Sequence, residues 1–526
     1  MILEDLKMLT IPAFGETNVV ENRLNKNARV WNFADAKKAS FFAYCTWLEE
    51  KGYEQKELRY QEENCFAAYA KADCGVFLSF FAGTAELRIV EEENCLYFSY
   101  TDSPLNRVVS PRITQLFLTD YGLSYVIRLS DGRLIVIDGG NPIEPDVENL
   151  MKTLKTESEG EKPVIAAWIM THPHNDHFHC FINFMDRYAD EVVIEKFLFN
   201  FPEADDLEHY PKLAAEDSRF ENSSALAKIP QMLAHIERTG APTYMTHTGQ
   251  HYQIGDATCE ILSSMDDTIH CAKSINAISL MIRMELAGQV ILWGTDCSFS
   301  MAKIPERWGR YLKSDILQIP HHGFQCGEPD PEVRGYELIN PKVCMLPVSG
   351  FNAYTTFCVH RAGTHHLMRN MEIEELIEGD RQRTLPLPYH APASAKHQLE
   401  QRVLKGLDNC GARTWIFTDL STSSPEDFVF SFLNTTHVVS TVWIELFFAE
   451  KKQAIRHIKL DLLPLTFKQA SIIGEEADSE SVYFNWMSLK TRGIPENVPF
   501  AARFTCEHPI VVSHKTHKES YRSTFN

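Results

Sequence analysis

The ten residues Thr171 to Cys180 read T-H-P-H-N-D-H-F-H-C. His172, His174, Asp176 and His177 bring three imidazoles and a carboxylate within one short span, a donor set that suits borderline-soft divalent metals such as zinc. Residues two apart in a tight turn can point the same way, so His172 and His174 can share one metal while Asp176 and His177 turn toward a second. A single histidine is usually a satisfied surface or core residue, and this chain has 21 of them. Four donors at this spacing point instead to a metal. The apolar run Val164 to Met170 just before them reads as a buried strand. The donors are therefore expected on the loop leaving the strand's carboxyl end, where open α/β sheets place their ligands.

Other apolar runs end in the same kind of chemistry. Leu134 to Ile137 leads into Asp138-Gly139-Gly140, Val290 to Trp293 into Gly294-Thr295-Asp296, and Ile316 to Pro320 into His321-His322-Gly323. One two-metal site can collect these ends at one edge of a sheet pair. The elements around them support a layered α/β domain. Strands are expected over 113–118, 123–129 and 134–138, with a turn at Ser130-Asp131-Gly132. A helix carrying Val147, Leu150, Met151 and Leu154 on one face comes next, then the strand before the histidines. Further on, helices are expected over 179–188 and 223–238, and strands over 192–199, 257–262, 278–286 and 342–347. A strand over 414–418 and a helix over 395–407 come last.

Together, the H-x-H-x-D-H loop, the preceding I-D-G-G, the later G-T-D and the strand ending in H-H-G resemble the metallo-β-lactamase-fold hydrolase superfamily. The resemblance covers residues 111 to 425. The spacing of D-I-L-Q-I-P-H-H-G after G-T-D looks most like the branch that holds hydrolase domains of bacterial competence DNA-uptake proteins and the phosphorylcholine esterases. It implies an α/β fold, a four-layer αββα metallo-β-lactamase-like sandwich. It also implies that His172 and His174 hold a first zinc, that Asp176 and His177 hold a second, and that Asp296 bridges both. Asp138 resembles the acid that fixes the loop by hydrogen bonds. One of His321 and His322 is to complete the second metal, with His322 preferred as ligand and His321 as proton donor or phosphate contact. The superfamily usually supplies one more His to the first metal just after a strand. Here that strand is followed by Ser263-Ser264-Met265-Asp266-Asp267, leaving His247, His251, His270 or water to substitute. His247-Thr248-Gly249-Gln250 also resembles a turn seen in some relatives.

The implied activity is that of a metal-dependent hydrolase with two Zn2+ ions, Mn2+ or Fe2+ remaining open. The resemblance favours a phosphodiesterase or phosphoesterase that uses a metal-bridging hydroxide as nucleophile, with Asp176 orienting it or taking its proton. A lactonase or thioesterase of the same fold is the alternative enzyme. A flavo-diiron oxidoreductase is disfavoured, because His174 stands where those proteins carry Glu. From another class comes a metal-stabilised binding or scaffold protein of weak activity.

At 526 residues the chain should hold three or four units, taking one domain per ~150 residues. Residues 1–110 read as a small α+β domain. It has a helix over 35–51, faced by Phe41, Phe42, Tyr44, Cys45 and Leu48, and strands over 57–62, 65–72, 75–81 and 85–90. No cluster of chemistry-bearing residues lies there, so a docking or oligomerisation module is expected, and a homo-oligomer stays open. Residues 101–111 suit a linker. Residues 426–526 read as a β-sandwich-like domain, with His508, His514 and His517 in a solvated tail. The net charge of −20 disfavours nonspecific nucleic-acid or anionic-lipid binding. It leaves a small-molecule or phosphodiester substrate open, because bound metal dominates the local field. No apolar run is long enough to span a membrane, and Met1 to Lys7 lacks the pattern of a secretory signal. The 13 cysteines are scattered without a CxxC pair, which predicts reduced thiols and a cytoplasmic location. Specificity is expected from loops 201–218 and 351–388.

Overall fold

The computed structural model describes residues 19–120, 122–203, 209–210, 213, 225–324, 327–348 and 362–399. Towards the C-terminus it describes 412–421, 429–434, 436, 438–448, 457–462, 467–471, 486–488 and 499–515. Residues 1–18, much of loop 201–218, residues 351–361, the expected helix beyond 399, and His517 lie outside the described residues. Two compact units emerge, one of Met1–Gly350 with Ala362–Ala393, the other of Phe351–Arg361 with Ser394–Asn526.

The first unit opens with a six-stranded antiparallel sheet. Its elements are β1 (Val19–Asn25), β2 (Ala28–Phe33), α1 (Lys38–Glu50), β3 (Glu54–Gln61), β4 (Asn64–Lys71), β5 (Cys74–Phe81) and β6 (Glu86–Glu92), in the spatial order β1-β2-β6-β5-β4-β3. One face carries Trp31, Phe33, Tyr69 and Leu78 and packs against Phe41, Tyr44 and Leu48 of α1. The opposite face, with Val30, Ala68, Phe77 and Val90, shares a core with the strands and helices that follow. With both faces buried, β4 and β5 carry unbroken apolar stretches, Cys65 to Ala70 and Cys74 to Leu78. β1 and β2 were not expected, because β1 is a largely exposed edge strand whose polar residues carry no apolar pattern.

Two further sheets face each other. The first comprises β7 (Arg112–Gln115), β8 (Ser124–Arg128), β9 (Leu134–Asp138), α2 (Glu144–Glu157), β10 (Val164–Ile169), α3 (Asn175–Tyr188), β11 (Val193–Ile194), β12 (Phe197–Phe199), α4 (Ile229–Thr239) and β13 (Thr243–Met245). The second begins with β14 (His251–Ile254), β15 (Ala257–Ser263), α5 (Met265–Thr268), β16 (Met281–Leu286), β17 (Gln289–Trp293) and α6 (Ile304–Trp308). It continues with β18 (Ile316–Gln318), α7 (Pro329–Ile339), β19 (Val343–Leu346), α8 (Ala362–Asn370) and β20 (Glu375–Glu378). β21 (Arg383–Pro386) returns to the first sheet, beside β7. The strand orders are β13-β12-β10-β9-β8-β7-β21 and β14-β15-β16-β17-β18-β19-β20.

Alternation assigns the faces. In β9, Ile135 and Ile137 point into the core between the sheets, while Leu134 and Val136 point to the helices outside. Val147, Leu150 and Leu154 of α2, Phe178, Phe181 and Phe184 of α3, and Met232 and Ile236 of α4 cover that outer side. From the second sheet, Ile261, Ile282, Ile291, Trp293, Ile316 and Met345 fill the same inter-sheet core. This is a layered α/β sandwich. Among its parallel strand pairs are β9 with β10 in the first sheet and β17 with β18 in the second. Each pair therefore delivers two carboxyl ends side by side.

The expected linker is a strap. Asp102 accepts from Arg133 Nη1 and Nη2 at 2.9 Å each, from Gly255 N at 2.7 Å and from Lys196 Nζ at 3.3 Å. Arg133 is fully buried and also meets Asp131 and Glu195 at 2.6 and 2.7 Å.

In the second unit, after α9 (Ala393–Leu399), the strands are β22 (Ala412–Ser421), β23 (Val429–Leu433), β24 (Ser440–Phe448), β25 (His457–Leu462), β26 (Phe467–Ser471), β27 (Trp486–Ser488) and β28 (Pro499–Lys515). β28 pairs with β22 and β24 over its first part and with β23 over its last, so one long strand serves two sheet surfaces. Two expectations change here. The strand over 414–418 pairs with β28 and not with the sandwich of the first unit. His508 sits within β28, bonded to Ser440 through its backbone, and not in a solvated tail; the apolar alternation that buries Phe504, Cys506, Ile510 and Val512 carries the strand through it. Among the described residues no helix is long and apolar enough to cross a membrane.

Replacing Arg133 with Met should leave three carboxylates without their buried cation and cost about 3–5 kcal/mol of unfolding free energy, measured by denaturant titration. A loss below ~1 kcal/mol would show that the strap carries little of the fold's stability.

Candidate metal centre

All four sequence-identified strand ends meet. Asp138 closes β9 in a left-handed conformation (φ 55°). Its carboxylate accepts Thr171 N at 2.8 Å, Thr171 Oγ1 at 2.7 Å and His177 Nδ1 at 2.7 Å. The Gly139 and Gly140 amides donate to His177 O at 2.8 and 3.1 Å. Gly140 needs its missing side chain, since φ is +90° and a Cβ there would lie 2.8 Å from Leu118. Because Asp138 accepts the hydrogen bond from His177 Nδ1–H, the ring turns Nε2 inward, toward Asp296 and Asp176.

Asp176 and His177 are not on a loop. His174 is the N-cap of α3, with φ −94° and ψ 152°, and both residues lie in the helix's first turn. Asp176 there suits the positive end of the helix dipole. The helix starts four residues earlier than its apolar pattern alone indicates, because the first turn spends its side chains on the site.

Asp296 lies at the middle. Its Oδ2 is 3.7 Å from His172 Nε2, 3.4 Å from His177 Nε2 and 3.6 Å from His322 Nε2. Asp176 Oδ2 is 3.7 Å from His177 Nε2 and 3.3 Å from His322 Nε2. His172 Nε2 is 3.1 Å from His174 Nδ1. Two donor groups result, His172 with His174 and Asp296, and Asp176 with His177 and His322, the ligand atoms within each lying within 4.8 Å of one another. Asp296 Oδ2 touches both.

His321 and His322 part company. Both are left-handed, at φ 49° and 52°. His322 turns to the carboxylates. His321 turns away, with Nδ1 3.1 Å from Phe324 O and Nε2 2.9 Å from Asn276 Nδ2. Its amide donates to Thr295 O at 2.7 Å, and Thr295 is itself left-handed at φ 49°. Non-glycine residues in this region are strained, and Asp138, Thr295, His321 and His322 all adopt it at strand ends around the donors. Leu280 joins the two sheets: its N–H donates to Thr171 O at 3.0 Å, and its carbonyl accepts the Thr295 hydroxyl.

His247, His251 and His270 do not join the cluster. His247 is fully buried between Glu92 and Asp266, at 3.2 and 3.4 Å. His251 pairs with Glu260 at 3.1 Å. His270 is exposed, within electrostatic range of Arg307 and Glu86. The segment after β15 forms α5, closed by a Ser264–Asp267 capping box. Asp267 pairs with Arg88 of β6 and with Arg307, the latter at 2.8 Å. No further His reaches the His172–His174–Asp296 group among the described residues.

The residues fit a divalent cation. His177 Nε2 and Asp296 Oδ1 are buried without a hydrogen-bond partner among the described residues, a cost of about 1–3 kcal/mol each that a cation removes. Burial holds His172 well below the usual imidazole range, hence neutral and able to ligate. Burial also pushes His177 down, but Asp296, Asp176 and Asp138 outweigh it and hold the ring well above its usual value. Burial would raise Asp296 and Asp176, yet the neighbouring imidazoles, His177 foremost, keep both below the ordinary carboxylate range. The cluster gathers negative charge and balances it on one ring, the place a metal would take over.

Residues 119–264 match the family model described as the metallo-beta-lactamase superfamily. That region is a metallo-beta-lactamase superfamily domain. Proteins of this superfamily are generally metal-dependent hydrolases, so the chain is an enzyme of that broad type with a divalent-metal site. Among solved structures it is similar to the metallo-beta-lactamase fold protein YhfI from Bacillus subtilis, at 14% identity over 45% of this chain and 85% of that one, TM-score 0.28. It is similar to CmlA, a diiron beta-hydroxylase from Streptomyces venezuelae, at 12% identity over 54% and 55%, TM-score 0.32. It is also similar to the Anabaena sensory rhodopsin transducer, at 17% identity over 21% and 92%, TM-score 0.16. No curated protein matches it.

Asp138→Ala should lower metal affinity about 10–100-fold by releasing His177 and Thr171, read by competition with a chromophoric chelator; unchanged affinity would remove Asp138 from the centre. His247 offers a pH test. Burial lowers its pKa, but Asp266 and Glu92 raise it to about 9 from 6.5. A raised folded-state pKa gives stability that is complete below pH 6.5 and lost as pH climbs through about 9. The stability gap between wild type and His247→Gln should therefore be largest at low pH and shrink across that window. A gap independent of pH would contradict the buried ion pair.

Proposed function

We propose that the chain is a dizinc phosphodiesterase. The observation that carries the two-metal reading is Asp296 Oδ2, shared between the two donor groups. His172, His174 and Asp296 would hold one ion; Asp176, His177, His322 and Asp296 would hold the other. Imidazole and carboxylate donors suit zinc, with Mn2+ or Fe2+ as substitutes. Bound divalent cations lower the pKa of water toward neutrality and stabilise negative charge developing on a phosphoryl or carbonyl group.

The chain's own residues do the rest. Asp138 holds the proton on His177 Nδ1 and so fixes that ring's orientation. Asp176, kept ionised by His177 and His322 against the effect of burial, accepts the proton of the attacking water or orients it. His321, half-buried beside His322, is assigned to the phosphoryl or leaving-group oxygen, which its protonated ring would meet through Nε2 in place of Asn276. The likeness of the D-I-L-Q-I-P-H-H-G strand end to phosphoesterase relatives supports a phosphodiester substrate. A cationic centre in a chain of net charge −20 accounts for how an anion is drawn to it. The scattering of the cysteines without a CxxC pair supports a reducing compartment such as the cytoplasm.

Metal-replete protein should carry two zinc ions per chain and cleave bis-p-nitrophenyl phosphate, with the four-ligand position filling first. His172→Ala and Asp296→Ala should lose metal by elemental analysis and lower kcat/KM by about 100-fold or more. Turnover of lactones or thioesters but not phosphodiesters in a parallel assay would move the substrate class to carbonyl chemistry. Tightly held metal with no turnover on either would favour a binding protein.

A further inference from the structure

Residues 264–278 occupy the stretch after β15 where the superfamily pattern places another histidine, and they supply no ligand. They do supply Asn276. This side chain is 91% buried, since its relative exposure is 9%. Its Nδ2 lies 2.9 Å from His321 Nε2. Its Oδ1 is buried without a hydrogen-bond partner among the described residues. A carboxamide that leaves one end unsatisfied is held there for what the other end does. The bonds at His321 agree with one another: a carbonyl can only accept, so Nδ1 carries the proton given to Phe324 O, and Nε2 must accept from Asn276.

The turn that carries Asn276 is itself fixed. Ser274 Oγ accepts the Asn276 amide at 3.2 Å, and Thr268 Oγ1 donates to Ala277 O at 2.6 Å. Thr268 ends α5, which Asp267 ties to Arg88 of β6 and to Arg307. A continuous set of polar contacts thus runs from the N-terminal sheet, through α5, to the ring of His321. The ring centroids of His321 and His322 lie 6.3 Å apart, which places His321 beside the cluster.

We propose that Asn276 is a positioning residue for His321, holding the resting ring at the edge of the donor cluster with Nε2 at the place a substrate oxygen would take over. The proposal rests on the phosphodiesterase reading for the role of His321. The anchoring of α5 to Arg88 gives the N-terminal sheet a part in the site, through the turn that presents Asn276.

The test is a double-mutant cycle on the metal-replete full-length enzyme with bis-p-nitrophenyl phosphate. Asn276→Ala should lower kcat about tenfold and His321→Ala up to about 100-fold, with KM and metal content little changed in both. The double variant should be no worse than His321→Ala within about twofold, because a residue acting through another has nothing left to lose. Multiplying losses, a wild-type kcat in Asn276→Ala, or a fall in its metal content would overturn the proposal. If wild-type enzyme cleaves no phosphodiester, the functional reading fails on its own account. The pair is then tested by calorimetric titration with inorganic phosphate. There Asn276→Ala and His321→Ala should each weaken binding about tenfold and the double variant no further. Additive losses, or binding that neither substitution changes, would overturn the proposal in that arm as well.

Discussion

A buried carboxylate must find positive charge, and Asp296 finds it in three imidazoles within 3.7 Å of one oxygen. Nothing local in the chain provides those rings. His172 and His177 arrive from the end of β10, and His322 from the end of β18. Their convergence demands that two sheets stop at the same level, that each contribute a parallel pair, and that the core between them be stiff enough to hold the spacing. Ile135, Ile137, Ile291 and Trp293 give that core close packing directly beneath the donors.

The donor residues were legible in the sequence for a simple reason. Strands buried on both faces are written as unbroken apolar runs, so the first polar residues after them stand out. Asp138, Asp296 and His321-His322 each follow such a run, and the structure brings all of them to one edge. Contacts made by partners far along the chain were not legible. The start of α3 hides inside the donor stretch, because His174 caps the helix without any of the usual capping side chains. His247 stands in a turn with a site-like pattern, yet Glu92, 155 positions earlier, and Asp266 claim it. Asn276 has no sequence pattern at all; only the fold sets it against His321. β22 has the alternation of a strand but nothing to say which sheet it joins, and pairing with β28 decides.

The N-terminal sheet shows how a unit without chemistry of its own can still be part of an active centre. Its sequence lacks any donor cluster, and one of its faces is closed by α1. Its other face lends Val30, Phe77 and Val90 to the shared core. Along that boundary Arg88 and Glu92 reach residues flanking β14 and β15. Buried ion pairs of this kind add little net stability compared with apolar packing, but they are exacting about geometry. They fix where the chain goes after β15.

Leu280 holds the two sheets together at the donor edge through its own peptide groups, giving its N–H to one sheet and its carbonyl to the other. On the Leu280 side both groups are main-chain, so only proline there removes the donor; the Thr295 hydroxyl is the one side chain the link uses. The distance between the two halves of the centre is thus insulated from sequence drift at position 280. A substitution of a ligand on either side that spares Thr295 therefore leaves this tie between the two halves in place.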